Sequence, residues 1–308
     1  MKIANTTGDF ALWCKTDEER IRELHKAGFQ YIDLSMYSFT PDSPYMQENW
    51  TEEVQKIKDL AKELGMQFVQ AHSQGGNPFS TDKAHVDFLI KATLRSIEIC
   101  GMLGIKNTVV HPGFAPEFCT QETRRKWLER NKEFYEMLLP TAEKYGVNIL
   151  CENGTKANLG EMNQITTGKE MREFIEYIHH PRLKGCWDTG HANCEGNQYD
   201  EIMAIGEHLY AIHYNDNRGA ADEHVAPFLG TLNHDEVINA LIDMGYQGYF
   251  TLECDASLRK YNQWTGERKR FEKESRCREP QLFMQRHIEK MMYETCEWLL
   301  SSYGILEK

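Results

Sequence analysis

Six short apolar runs in this chain each end in residues that can hold a metal ion or move a proton. Gln67–Ser73 carries His72, Thr108–Gly113 carries His111, Asn148–Asn153 carries Glu152, Leu209–Asn215 carries His213 and Gly248–Asp255 carries Glu253. The remaining run, Lys184–Asn193, carries both Asp188 and His191. Along the series His72, His111, Glu152, Asp188, His213, Glu253, the steps are 39, 41, 36, 25 and 40 residues. Between the runs lie segments of helical period. Thr16–Ala27 opens on a threonine with a glutamate three residues later and stops at Gly28, the pattern of a capped helix. In Thr51–Leu64, positions Val54, Ile57, Leu60, Ala61 and Leu64 share one face, and Gly65 follows. Further helices are expected over about 82–103, 121–145 (kinked at Pro140), 169–179, 199–208, 235–244 and 281–303. Strands are expected at 2–5, 31–36, 67–73, 108–111, 148–151, 183–187, 210–213 and 249–253. Strands that alternate with helices imply a parallel sheet. Eight such units imply a single (β/α)8 TIM barrel over 1–308, with functional residues at the C-terminal ends of the strands. An open doubly wound sheet would gather ligands at one switch point, not on six strands.

The charge balance narrows the partners. Thirty-five basic and 47 acidic residues leave a net charge of −12. A broad nucleic-acid surface needs a basic face to replace the counterions around phosphates, so no nucleic acid is expected. A small anionic substrate stays compatible, because a bound cation can supply positive charge locally. The nine cysteines form no C-x-x-C pair, which points to reduced thiols and a cytoplasmic setting. Cys151, Cys186 and Cys254 lie inside apolar runs and are read as buried core. The N-terminus does not resemble a signal peptide, and no apolar run reaches the ~18 residues that span a bilayer. A charged insertion at 256–280 precedes the last helix; Gly266–Glu279 holds ten charges in fourteen positions. It is expected to be solvated, with a lid or a subunit contact as the functional alternative.

Glu152, Asp188, His213 and Glu253 fall on four successive strand ends. Three carboxylates and one imidazole suit a divalent ion such as Mn, Mg, Co or Zn. The polar residues come in recurring pieces: AHS at 71–73, HPG at 111–113, CEN at 151–153, DTGHAN at 188–193, HYNDNRGAADEH at 213–224 and LECD at 252–255. On these pieces the chain resembles the sugar isomerase/epimerase superfamily with xylose isomerase-like barrels, which also includes endonuclease IV. The resemblance runs from the first strand to Glu253, and D-T-G-H followed by H-x-N-D-x5-D-x-H is its most specific part.

For the isomerase and epimerase branch, the resemblance implies one divalent metal on Glu152, Asp188, His213 and Glu253. Glu152 and Glu253 would transfer the proton, and His191, Arg218, His72 and His111 would face the substrate, a small carbohydrate. For the endonuclease branch it implies three zinc ions on His72, His111, Glu152, Asp188, His191, His213, Asp222, His224 and Glu253. All nine residue types are present, so His72, His111, His191, Asp222 and His224 stand as possible additional ligands, and ligand count does not choose the branch. The acidic charge, the lack of a basic, aromatic-interleaved loop and the aromatics Trp13, Tyr37, Phe39, Phe114, Trp187 and Phe228 in or near the βα loops favour a sugar. A proton alpha to a carbonyl leaves readily only where the enediolate charge is stabilised, and two carboxylates on opposite faces can then remove and return it. The expected activity is therefore sugar, polyol or keto-inositol isomerisation or epimerisation. A dehydratase or lyase on a keto-inositol, a zinc phosphodiesterase and a non-catalytic binding barrel are the alternatives. A homo-oligomer is expected by family analogy alone. Asp216 is expected to orient an imidazole, while His179, His180, His208, His234 and His287 are expected to lie on the far side of the barrel from the chemistry.

Overall fold

The computed structural model describes residues 1–255, 257–258 and 279–307. Almost all of the charged insertion at 256–280 lies outside the described residues. Eight parallel strands form the sheet: β1 (Ile3–Thr6), β2 (Tyr31–Ser35), β3 (Gln67–His72), β4 (Asn107–Val109), β5 (Asn148–Glu152), β6 (Leu183–Asp188), β7 (Leu209–His213) and β8 (Phe250–Leu252). Their order is β7-β6-β5-β4-β3-β2-β1-β8. The ring closes between β7 and β8 through a parallel bridge of Tyr214 to Leu252, where the Tyr214 N–H donates to the Thr251 carbonyl at 2.7 Å. The expected (β/α)8 barrel is thus observed, nearly closed.

Ten helices occur among the described residues: α1 (Asp17–Ala27), α2 (Trp50–Glu63), α3 (Lys83–Leu103), α4 (Gln121–Tyr145), α5 (Lys156–Leu159), α6 (Gly168–Ile178), α7 (Thr189–Glu195), α8 (Tyr199–Ile205), α9 (His234–Asp243) and α10 (Leu282–Ser302). The cap read for α1 is present: Thr16 Oγ1 accepts from the Glu19 N–H, the Glu19 carboxylate accepts from the Thr16 N–H, and Gly28 ends the helix at φ 112°. Such a left-handed end favours glycine because a Cβ would collide with the backbone. The α4 helix continues through Pro140. The main departure from the expected elements is α7. The DTGHAN segment forms a helix, because the Asp188 side chain accepts from the His191 N–H and so caps it.

The apolar residues divide into two layers. The large cluster, with Phe29, Trp127, Tyr135, Phe174 and Phe250, joins strands to helices. A small separate cluster of Val109, Leu150, Cys186 and Ala211 comes from β4 to β7. The buried polar residues Asp33, Gln70 and Thr251, on β2, β3 and β8, are joined by Gln70 Nε2 to Asp33 Oδ2 at 3.2 Å and Thr251 Oγ1 to Gln70 Oε1 at 3.3 Å. Cys151, Cys186 and Cys254 are buried free thiols, as read.

Candidate metal centre and its cavity

The strands deliver their last residues to one end of the barrel, around a cavity of about 700 Å³. Glu152, Asp188, His213 and Glu253 offer ligand atoms that all lie within 4.8 Å of one another. His213 is the hub. Its Nδ1 sits 2.5 Å from Glu152 Oε1 and 3.2 Å from Glu253 Oε2. Its Nε2 faces Asp33 Oδ2 from 3.5 Å, outside hydrogen-bond geometry, and has no hydrogen-bond partner. Asp33 is the carboxylate beneath the imidazole, the place expected of Asp216.

Asp188 is held on every side. Its N–H donates to Asn153 Oδ1 at 2.7 Å, and Asn153 Nδ2 returns a bond to the Asp188 carbonyl at 3.0 Å. Its carboxylate accepts from the His191 N–H at 2.6 Å and from Asn215 Nδ2 at 2.7 Å. Thr189 Oγ1 donates to the Asn215 carbonyl, and Asn217 Nδ2 donates to the Gly190 carbonyl. A Cβ on Gly190 would stand 1.8 Å from Asn215 Oδ1, so no larger residue fits there.

Two further groups flank the centre. His72 Nε2 lies 3.1 Å from His111 Nε2, which lies 2.7 Å from Glu152 Oε2. Asp188, His191 and His224 form the other group. His191 Nδ1 donates to the Asn153 carbonyl and His224 Nδ1 donates to the Glu253 carbonyl. The Nε2 atoms of both rings therefore turn to Asp222, at 3.1 Å from Oδ2 and Oδ1 respectively.

The electrostatics follow from burial and pairing. Burial works to raise the Glu253 carboxyl, but His213 beside it brings it down to about 2. Burial likewise opposes ionisation of Glu152, and His213 and His111 hold it well below the usual range. Burial pushes Asp188 up to about 6 despite His191 and His224. Desolvation disfavours the charged form of His191, yet Asp188 and Asp222 raise it to about 10. Three carboxylates and the His213 Nδ1 converging at a largely buried floor are a donor set that fits a divalent cation.

The loop after β7 brings Asp222 and His224 in. The Asp216 carboxylate accepts the N–H groups of Asn217, Gly230 and Leu232 at 2.8, 2.9 and 2.9 Å, which folds the loop back on itself. Asp216 therefore shapes the backbone and does not orient an imidazole; the nearest, His234, is 3.8 Å away. His234 opens α9 at the mouth end, where its Nε2 accepts from the Phe228 N–H and its Nδ1 meets Tyr214 Oη at 2.5 Å. It supports this loop, contrary to the expected placement on the far side.

Arg218 is not brought to the cavity. Its guanidinium is paired with Glu223 Oε1 at 2.5 Å, its side chain is 67% exposed, and it is absent from the cavity wall. Of the six aromatics, Tyr37 and Phe114 line the cavity. Trp187 is buried and donates to Gln198, Phe39 packs on Tyr45, Phe228 packs on His234 and Trp298, and the Trp13 indole donates to the Pro280 carbonyl. Sequence reading missed Asp33, Asn153 and Asn215; the signal for Asp33 was a lone carboxylate inside the apolar strand YIDLS.

A parallel (β/α)8 barrel with carboxylates and histidines clustered at the C-terminal mouth defines the class. The chain belongs to the xylose isomerase-like TIM barrel family, whose model matches residues 21–277. It is 29% identical over 182 residues to the uncharacterized protein MJ1311 of Methanocaldococcus jannaschii, spanning 58% of this chain and 60% of that one. An L-ribulose 3-epimerase of Methylomonas sp. (strain DH-1) is 26% identical over 249 residues, 75% of this chain and 76% of that one. A probable endonuclease 4 of Mycoplasmopsis agalactiae is 25% identical over 56% of this chain and 57% of that one. In fold, the chain is similar to D-psicose 3-epimerase with D-tagatose from Clostridium cellulolyticum H10, with TM-score 0.72, 18% identity and coverage of 97% and 99%. It is equally similar to the IOLI protein with a bound zinc atom, with TM-score 0.72, 16% identity and coverage of 99% and 100%. No described helix is long and apolar enough to cross a membrane.

Proposed function

We propose that this barrel is a divalent-metal-dependent sugar isomerase or epimerase acting by proton transfer next to a carbonyl. The observation that carries this is the approach of two carboxylates, Glu152 and Glu253, to the same His213 nitrogen at the cavity floor. They come from β5 and β8, three strands apart round the barrel, so they reach a shared centre from different directions. A divalent ion held by Glu152, Asp188, His213 and Glu253 would polarise a substrate carbonyl and offset the charge that develops as the neighbouring proton leaves.

The chain's own residues do the rest. Glu152 and Glu253 serve as the bases on the two faces of the substrate carbon: the one facing the hydrogen removes the proton, and the other, after taking a proton up from solvent, delivers it to the opposite face. His191 and His111 stand at the cavity wall, where the substrate would pass them. Buried Asp188 keeps both α7 and the floor in place. The substrate is a small carbohydrate, and L-ribulose, D-psicose and D-tagatose chemistry in similar proteins supports that class. A keto-inositol elimination would share the first proton removal.

The His72–His111–Glu152 and Asp188–His191–His224 groups favour a second assignment, a zinc phosphodiesterase holding further ions there. Elemental analysis of purified protein separates the two. About one metal per chain, with exchange of substrate protons into D2O, supports the isomerase. Three zinc ions per chain, with salt-dependent binding to abasic duplex DNA, would overturn it.

A further inference from the structure

We infer that the substrate is a ketose carrying a second, uncharged polar unit such as a glycosyl group, rather than a free monosaccharide. This rests on the isomerase assignment and deepens it. Even granting every non-hydrogen atom the ~30 Å³ that a water molecule takes in the liquid, the roughly twelve atoms of a ketohexose claim about 360 Å³. The cavity offers about 700 Å³.

The lining differs round the mouth. The four clustered donors hold the floor under β5 to β8. Over β1 to β3 the wall is made of small residues, Gly8, Ala11, Ser35, Ser38 and Gly76, together with the exposed ring of Tyr37. A second chamber of about 240 Å³ shares Ala11, Ser35 and Ser38 with the main cavity. A substrate seated at the metal centre and extending over β1 and β2 would meet these three small side chains, the boundary it has to pass to reach the chamber.

The chamber's lining describes its occupant. Phe39 and Tyr45 supply two rings with centroids 5.5 Å apart. The Asp17 carboxylate is held by Tyr45 Oη at 2.9 Å and Arg20 Nη1 at 3.1 Å. Lys15, Glu18 and Glu53 add further charges to the wall. Apolar ring faces with a few fixed polar groups are what a specific small-molecule site requires. Charges of both signs, with acidic groups in excess, disfavour an anionic unit such as a phosphate and suit hydroxyl groups, which both donate and accept.

The test compares matched sugars on the metal-loaded protein, following substrate-proton exchange in D2O by NMR. The free ketoses are D-fructose and D-tagatose; the glycosylated ones are isomaltulose and lactulose. The expected result is a kcat/KM at least about tenfold higher for a glycosylated ketose, the scale on which pocket contacts discriminate. Lys15→Trp, at an exposed position on the chamber rim, should lower that preference to below about threefold by filling the space. Ser43→Phe, also on the chamber wall alone, repeats the test from another element. Equal or faster exchange of the free ketoses overturns the inference and leaves the isomerase assignment standing. A preference that both variants retain overturns the chamber's role. If none of the four sugars exchanges, the ketose isomerase assignment itself falls.

Discussion

The two halves of the barrel mouth are built on different principles. Over β5 to β8 the donors are held by polar contacts: Asp188 by hydrogen bonds with Asn153, His191 and Asn215, and Asp222 by a hydrogen bond with His191 and an ion-pair contact with His224. Over β1 to β3 the wall is defined by what is missing, small side chains that leave space. One half positions atoms for chemistry and the other sets what can enter. Substitutions should therefore act on rate in the first half and on substrate choice in the second.

The largest effect is expected at the two glutamates. Glu152→Gln and Glu253→Gln should each lower epimerisation by about 10²–10⁴-fold, the usual worth of a positioned base. Each should still exchange a substrate proton for solvent deuterium from its surviving face, read by NMR in D2O; near-full inversion in either mutant would remove the two-base scheme. Next comes Asp216→Asn, which weakens the acceptor for three loop N–H groups. It should lower activity or metal affinity by about 10–100-fold, the range for groups that orient ligands. Unchanged activity and titrated metal affinity would mean that the loop holds Asp222 and His224 without it.

Under the open half lies a buried cluster whose stability depends on pH. Asn5 Nδ2 donates to Glu289 Oε2 at 2.5 Å and to Asp9 Oδ2 at 3.2 Å, and Gln285 Nε2 donates to Glu289 Oε1 at 2.6 Å. Burial pushes Glu289 up to about 8 from an ordinary 4.5, and burial with the Glu289 charge raises Asp9 well above its usual range. The folded state thus holds a proton that the unfolded chain releases near pH 4.5. Its contribution is complete below pH 4.5 and is lost as pH rises towards 8. Glu289→Gln should flatten this decline, raising Tm at pH 8.5 by a few degrees relative to wild type, while the two proteins converge near pH 5. Parallel Tm profiles from pH 5 to 8.5 would show that no proton is held there. The acceptors Asn5 Oδ1 and Gln285 Oε1, unpartnered in the wild type, can turn to receive the new amide. The smallest effect is expected for Arg218→Ala, below about threefold in kcat/KM, as suits an exposed ion pair; a tenfold loss would return Arg218 to the substrate.

What the sequence revealed depended on how local each signal was. Alternating periods, the Thr16–Glu19 cap and ligand-type residues at the ends of apolar runs are local, and the barrel topology then carries those ends to one mouth. Asp33, Asn153 and Asn215 act across strands, so nothing near them in the chain names their partners. Arg218 and Asp216 show the converse. Both sit in the strongest motif, yet Glu223 turns one outward and three backbone N–H groups occupy the other. Trp187 looked available for stacking only because its partner Gln198 is eleven residues on, in a turn of the fold that periodicity does not show.

The crowding at Gly190 bears on how such proteins are found and engineered. Asp188 caps a helix, Thr189 ties two strand ends, and Gly190 leaves room for an amide that would otherwise strike a methyl group. Three of the four letters in D-T-G-H thus have duties in folding that do not depend on catalysis. A descendant that had lost its enzymatic activity would still be under pressure to spell them. Searches keyed to this tetrapeptide would retrieve silent barrels alongside active ones, and a design campaign should draw its diversity from residues 8, 11, 35 and 38 rather than from 188–190.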